Sequence, residues 1–212
     1  MLKTLTREQR HSLGMAATHY AQALSAVEPY LAGRGLGRQA GEDYLLGCVA
    51  EPLPGDEQYA GRLSLPYISP AGVTDIRYRC VQAHDCKEVG CPKYLGRPGV
   101  ETGVFNVMAL HRDSSVVAIV EGEIDAITLD PIVPTVGMPG ANSWKRFYSR
   151  LFADYERVLV VCDGDDAGHT FGRTVLKAVD EATVIHCPTG QDVNSVCQQG
   201  GEAALRRLIG AA

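Results

Sequence analysis

The sequence contains no apolar run that approaches the roughly 18 residues of a membrane-spanning helix. Its first residues, MLKTLTREQRHS, hold no apolar core of the kind that a secretory signal requires. These two absences argue against a membrane protein and against secretion. We therefore expect the protein to stay in the cytoplasm.

A disulfide framework is not expected either, because the seven cysteines are odd in number and no secretory signal precedes them. Three cysteines lie in or beside apolar segments and are predicted to be small core residues: Cys48, Cys162 and Cys187. Three others lie within twelve residues of sequence together with a histidine: Cys80, His84, Cys86 and Cys91. Such a Cys/His group in a reduced protein offers four candidate zinc ligands, although a hairpin with incidental cysteines explains the same irregular spacing.

An excess of positive charge is also missing, since the net charge is −5, whereas nucleic-acid-binding domains are usually basic. The acidic excess is unevenly distributed. Residues 1–114 carry 12 basic and 12 acidic side chains, and residues 115–212 carry 8 and 13. Six of those 13 acids belong to clusters that a divalent cation would neutralise, so nucleic-acid binding is not excluded.

The most informative stretch is VVAIVEGEID, which begins at Val116. Its five apolar residues show no polar alternation, which is typical of a parallel strand covered on both faces. Glu121 follows the strand directly, Gly122 allows a sharp turn, and Asp125 falls in the first turn of the next predicted helix. The strand thus delivers carboxylates to one edge of a sheet.

The same arrangement occurs twice more along the chain. Residues 158–162 form an apolar run that Asp163, Asp165 and Asp166 follow, and a third strand at 183–186 precedes PTGQDVN with Asp192. A single aspartate in such a place is often only a helix cap. Three acidic strand ends predict a shared pocket at the carboxyl edge of an open α/β sheet. Clustered carboxylates repel unless cations bind, and oxygen-only ligands indicate Mg²⁺ or Mn²⁺.

The motifs VEGEIDA, CDGDDAGH and PTGQDVN resemble, in order, the three acidic motifs of the Toprim fold. That fold is shared by bacterial DnaG-type primases, topoisomerases and some nucleases. The resemblance implies an α/β domain with a Rossmann-like parallel sheet and helices on both faces. The implied metal ligands are Glu121, Asp125, Asp163, Asp165 and Asp192, and the implied catalytic residues are Glu121, Asp163 and Asp165.

Residues 30–110 resemble the smaller α+β subdomain that precedes Toprim in primase catalytic cores, through YLAGRGLG, GRLSLP and PKYLGRPG. Topoisomerases and the nucleases lack that module. The resemblance implies four residues that bind template and nucleotide phosphates, a role that suits arginine and lysine: Arg34, Arg62, Arg79 and Lys93. The chain departs from the family pattern at Gly96, Val107 and Asn194.

The resulting organisation comprises a helical arm at 1–29, an α+β subdomain at 30–114, a Toprim domain at 115–200 and a C-terminal helix at 201–212. Residues 80–91 form an insertion in the α+β subdomain. The sequence TREQ at 6–9 predicts a capping box at the start of the first helix. Residues 132–136 are predicted to form a further strand. A helix is expected from Ser143 onward, carrying Trp144 in the core. The tail from residue 193 to 209 is expected to form two short helices.

The family resemblance implies a small, bacteriophage-like DNA primase core in the host cytoplasm, a nucleotidyltransferase that makes short RNA primers on single-stranded DNA by a two-metal reaction. Its expected partners are the template, ribonucleoside triphosphates, a replicative helicase and a separate zinc-ribbon protein, and no membrane. Two alternatives stay open: a metal-dependent Toprim nuclease and a non-catalytic module that binds single strands. A haloacid-dehalogenase-like phosphatase is disfavoured, because the expected threonine does not follow Asp165.

Overall fold

Two separate four-stranded sheets, one antiparallel and one parallel, organise the chain. The computed structural model describes residues 4–211 and divides the chain between Gly103 and Val104 into two units. This boundary precedes the one expected at residue 114. The reason is that Phe105 pairs with Gly137 through two backbone hydrogen bonds of 2.8 and 3.1 Å. Val104 and Ala109 are buried in the core of the second unit.

The described part of the first unit has three α-helices, of which the first packs on the sheet and the second and third pack against each other. They are α1 (Arg7–Ala21), α2 (Glu28–Gly33) and α3 (Arg38–Asp43). The predicted capping box is confirmed, because Gln9 N–H donates to the Thr6 side chain and the Thr6 N–H donates to the Gln9 side chain. The apolar face of α1 contributes Leu13, Ala17 and Tyr20 to a shared core with the sheet. The described residues of the expected N-terminal arm therefore belong to the first unit.

The first sheet consists of β1 (Gly47–Cys48), β2 (Leu63–Ser69), β3 (Gly72–Arg79) and β4 (Tyr94–Leu95), in that order and all antiparallel. Strands β2 and β3 form a hairpin in which Leu63 lies opposite Arg79. Arg79 in turn lies opposite Tyr94 in β4. Residues 80–93 connect β3 to β4 and contain the insertion at 80–91, so the insertion begins and ends at the same end of these two antiparallel strands.

The second sheet is parallel and has the order β6-β5-β7-β8. Its strands are β5 (Val116–Val120), β6 (Thr135–Gly137), β7 (Arg157–Cys162) and β8 (Ala182–His186). Helices α4 (Glu123–Leu129) and α6 (Val193–Ile209) pack together, and α5 (Asp166–Leu176) packs on β7 and β8. The predicted α/β class, with a parallel sheet that follows a smaller antiparallel module, is confirmed. Strand β6 lies slightly later than the predicted 132–136.

The segment after β6 differs from the expected helix. It forms two 3₁₀ helices, Ala141–Ser143 and Arg146–Phe152, with Trp144 in extended backbone between them. Trp144 packs on the core through Tyr148 and Phe152, whereas Phe147 and Leu151 are exposed. The tail is helical on both sides of Gly201, whose φ of 63° breaks the helix. None of the helices within residues 4–211 has the length and apolarity that a membrane crossing requires.

The three cysteines that were expected in the core, Cys48, Cys162 and Cys187, are buried. Burial raises the pKa of Cys162 and of Cys187 to about 12. These thiols therefore stay protonated and behave as small apolar residues.

Candidate active site

The acidic site begins where the two central strands of the parallel sheet end. Glu121 follows β5 and Asp163 follows β7, and these strands are hydrogen-bonded neighbours. The Asp163 N–H donates to Glu121 Oε1 at 3.0 Å, which joins the two strand ends. Glu121 is buried and Asp163 is partly exposed. The prediction that the strands deliver carboxylates to one edge is borne out for these two residues.

Two further aspartates cap helices at the same edge. Asp165 precedes α5, and its Oδ1 accepts from the Gly168 N–H at 2.8 Å. Asp192 precedes α6, and its Oδ1 accepts from the Ser195 N–H at 2.7 Å and the Ser195 hydroxyl at 2.5 Å. In both residues the other carboxylate oxygen accepts no hydrogen bond from the described part of the chain. Capping thus leaves one oxygen of each carboxylate for a ligand.

The loops that carry the acids are packed backbone against backbone. A Cβ on Gly164 would lie 2.1 Å from the Pro188 carbonyl oxygen, and one on Gly168 would lie 2.2 Å from that of Asp163. The Gly164 N–H donates to the Gln191 carbonyl at 2.8 Å. Only glycine fits at these two positions, because any side chain would clash with the neighbouring backbone. The two glycines therefore allow the loops to pack this closely.

Burial and mutual repulsion make the ionised site unfavourable. Burial raises the pKa of Glu121 to about 7, and the charges of Asp165 and Asp125 add to this effect. The hydrogen bond from the Asp163 N–H acts in the opposite direction and lowers the pKa. Burial, followed by the charges of Asp125 and Glu121, raises the pKa of Asp163 to about 8.

Four of the carboxylates at this edge form no ion pair with a cationic side chain of the described residues: Glu121, Asp163, Asp165 and Asp192. A bound cation is the simplest way to offset this repulsion.

Asp125 and Asn194 hold the site together from behind. Asp125 Oδ1 accepts from the Asn194 backbone N–H at 2.9 Å, and the Asn194 side chain donates to Thr128 Oγ1 at 2.9 Å. Asn194 is fully buried. The family departure at this position is therefore a structural link between α4 and α6 and adds no charge to the edge. Glu123 in α4 is also fully buried. Nothing in the sequence except its position after Gly122 indicated that this acidic residue would be buried.

The acidic residues fit a divalent metal that binds oxygen ligands. Their oxygens do not converge as closely as the ligand atoms of the Cys/His group, which is the one such cluster found within the described residues. Mg²⁺ tolerates this, because it keeps several waters and is usually held by one or two carboxylates plus substrate phosphates.

The first unit contains a basic pocket of about 390 Å³, lined by Tyr30, Arg34, Arg79, Lys93 and part of residues 80–91. The Arg79 guanidinium lies over the rings of Tyr30 and Tyr94, at 5.5 and 5.0 Å, and donates to the Tyr94 hydroxyl. Arg34 lies 5.7 Å from the Tyr30 ring. Stacking on aromatic rings holds these cations in place.

The structure brings three of the four predicted phosphate-binding residues together and places Arg62 differently. Arg62 donates to the Pro92 carbonyl at 2.8 Å and lies 3.5 Å from Cys91 Sγ, so it braces the loop beside the pocket. Arg97 pairs with buried Asp75 at 2.9 Å. Val107 packs against the core of the second unit.

Comparisons with known proteins agree with this geometry. Residues 118–197 match the protein family described as Toprim-like. The chain is 43% identical to the Gene 57 protein of Mycobacterium phage D29 over 157 residues, which are 71% of this chain and 99% of that protein.

Two solved structures have a similar fold. A DNA primase domain from Pseudomonas aeruginosa has a TM-score of 0.76 and 23% identity, over 95% of this chain and 78% of that one. A DnaG primase catalytic domain bound to single-stranded DNA has a TM-score of 0.76 and 19% identity, over 97% and 82%. At these identities the likeness establishes the fold, which is that of primase catalytic cores.

Proposed function

We propose that this chain, which belongs to the family of the Gene 57 protein of Mycobacterium phage D29, is a DNA primase core that synthesises short RNA primers on single-stranded DNA for replication. The observation that carries the proposal is the set of carboxylates at the ends of β5 and β7, which have no cationic partner in the described residues. Its fold supports the same conclusion, since similar folds occur in primase catalytic domains, one of them bound to single-stranded DNA.

The metal-holding residues are Glu121, Asp163, Asp165 and Asp192. When bound, Mg²⁺ or Mn²⁺ lowers the pKa of the attacking 3′-hydroxyl and offsets charge on the reacting phosphate and the pyrophosphate leaving group. The remaining work belongs to the protein. Asp165 and Asp192 are fixed by their caps, and Asp163 is fixed by the short turn at Gly164.

Glu121 has a second role as the proton acceptor. Its Oε1 is engaged by the Asp163 N–H, so Oε2 is the oxygen left to hold the metal or, in its second role, to receive the proton of the 3′-hydroxyl. Burial raises the pKa of Glu121 to about 7 in the metal-free protein, and a bound cation would lower it, so the carboxylate is in its proton-accepting form at neutral pH. Asp125 acts behind it and keeps α4 and α6 in register through the Asn194 N–H.

The basic pocket of the first unit binds phosphate groups of nucleotide or template through Arg34, Arg79 and Lys93. Guanidinium and ammonium groups recognise phosphate without reading base sequence. Arg62 contributes by holding the neighbouring backbone. The helicase and the zinc-ribbon partner stay predictions from the family resemblance.

The test is incorporation of labelled ribonucleotides on single-stranded DNA with Mg²⁺ or Mn²⁺. We expect short labelled products from the wild type and none from Asp163→Asn. Asp166→Asn is the matched control, because Asp166 is an exposed aspartate at the start of α5 that is not one of the metal-holding residues, and this variant should retain activity.

The same assay separates the alternatives. Degradation of the template without any need for triphosphates indicates a nuclease. Binding of single strands with neither product nor degradation, in wild type and Asp163→Asn alike, indicates a non-catalytic module. Either result contradicts the proposed primase activity.

A further inference from the structure

Residues 80–91, which lie between β3 and β4, have almost no buried apolar surface. Residues 82–85 and 87–90 are exposed, and Val89 is 58% exposed. A segment of this kind cannot be ordered by hydrophobic burial, and small units without a core usually rely on disulfides or metals. All seven cysteines are free thiols in this structure.

Four side chains of the segment nevertheless converge. Their ligand atoms all lie within 4.8 Å of one another: Cys80, His84, Cys86 and Cys91. Cys80 Sγ and His84 Nε2 are 3.6 Å apart. A tetrahedral zinc ion, with bonds of about 2.0–2.3 Å, places its ligands about 3.5–3.8 Å apart. Small rotations of the side chains therefore close a complete ligand shell.

The backbone supports this convergence despite the irregular spacing. The Cys91 N–H donates to the Cys86 carbonyl at 2.9 Å, and the Cys80 N–H donates to the Lys93 carbonyl at 2.9 Å. The Lys87 N–H donates to the Asp85 side chain at 2.7 Å and tightens the intervening turn. The main chain thus brings the ligands close without a short CxxC spacing.

Arg62 supplies the outer contact that such a site needs. Three thiolates and one Zn²⁺ carry a net charge of −1, and the Arg62 guanidinium lies 3.5 Å from Cys91 Sγ. Donors to ligating groups are typical of zinc sites and tune the ligands. This also accounts for the position of Arg62 outside the lining of the basic pocket.

We propose that residues 80–91 bind one structural zinc ion through three thiolates and one imidazole. Soft thiolate ligands select zinc over Mg²⁺, so this site is chemically distinct from the carboxylates of the second unit. Cys80 follows Arg79 directly, and Cys91 lies two residues before Lys93. The ion therefore fixes the two strand ends that carry cations of the basic pocket.

The test is the metal content of the full chain, expressed with added zinc and purified without chelators. We expect about one zinc per chain in the wild type and at least about a ten-fold loss in Cys86→Ser. Cys197→Ser is the matched control, because Cys197 is a partly buried thiol of α6 outside the cluster, and it should keep its zinc. Iron in place of zinc, or zinc retained by Cys86→Ser, contradicts the proposal.

A second measurement uses only the wild-type protein, so it stays informative if the variant fails to fold. Wild-type protein stripped of metal is titrated with Co²⁺, and we expect thiolate-to-cobalt absorption together with the intense bands of tetrahedral cobalt, both reversed by zinc. Stripped protein that stays folded but gives no such spectrum overturns the zinc site. Neither measurement depends on primer synthesis.

Discussion

The two units hold opposite charges by different means. In the second unit, backbone geometry positions the acids: strand ends, helix caps and glycines that allow carbonyl groups to approach. In the first unit, contacts between side chains position the basic residues. Arg79 and Arg34 lie over aromatic rings, and Arg62 braces a loop.

The difference follows from what each charge needs. Carboxylates must be forced together against their repulsion, and only a rigid backbone does this, with a cation to complete it. Guanidinium groups stack on aromatic faces and need no such enforcement. We therefore expect the acidic site to be intolerant of small changes and the basic pocket to be more tolerant.

The largest expected effect is the loss of catalysis in Glu121→Gln. The amide oxygen of glutamine can still accept the Asp163 N–H, so the change removes charge and proton acceptance but keeps the shape. We expect primer synthesis to fall by at least about 100-fold, the scale of losing one preorganised electrostatic contact. Thermal unfolding serves as the control and should show no loss of stability, since a buried charge is removed. Activity close to wild type would argue against a catalytic Glu121.

The next effect tests the backbone packing of the acidic loops. Gly164→Ala places a Cβ against the Pro188 carbonyl, and we expect a loss of about 3 kcal/mol in the free energy of unfolding. Gly14→Ala is the control, because nothing lies within 4 Å of a Cβ there and alanine favours the helix by about 0.5–1 kcal/mol. Urea unfolding measures both. Equal stabilities of the two variants would show that the loops are not closely packed.

The acidic site also predicts how stability depends on pH and metal. The pKa values of Glu121 and Asp163 are raised in the folded protein, so it keeps protons that the unfolded chain has released. Metal-free protein should therefore lose stability as pH rises from about 6 to about 8. Mg²⁺ should raise the melting temperature more at the higher pH.

The control for this experiment is Asp163→Asn, which removes one of the repelling carboxylates. It should flatten the pH dependence and reduce the stabilisation by Mg²⁺. A metal-free wild type whose melting temperature rises over the same pH range would contradict the assignment of the raised pKa values.

The smallest effect is expected in the first unit. Tyr94→Phe removes the hydroxyl that accepts from Arg79 but keeps the ring beneath it. The loss of about 1 kcal/mol should raise KM for ribonucleotides by about five-fold with little change in kcat. Tyr155→Phe, whose hydroxyl bonds the Leu110 carbonyl instead, should leave KM unchanged.

The parts that could be predicted from the sequence are those in which a local pattern fixes a position. The apolar run Val116–Val120 forms β5 as expected, and parallel topology then places Glu121 beside Asp163. The direction of a long side chain has no such signal, so the backbone contact of Arg62 was not foreseen. Asn194 could be identified only as a departure from the family pattern, because its structural partner Thr128 is distant in sequence. Residues 104–112 contain only a 3₁₀ turn, and their pairing with β6 left no pattern to detect.

The most direct test of the account is steady-state primer synthesis by Asp163→Asn and Lys93→Ala, one variant from each unit. If the second unit performs the chemistry and the first holds phosphates, Asp163→Asn lowers kcat by at least about 100-fold, whereas Lys93→Ala mainly raises KM. An Asp163→Asn variant that keeps the wild-type kcat would contradict the central claim.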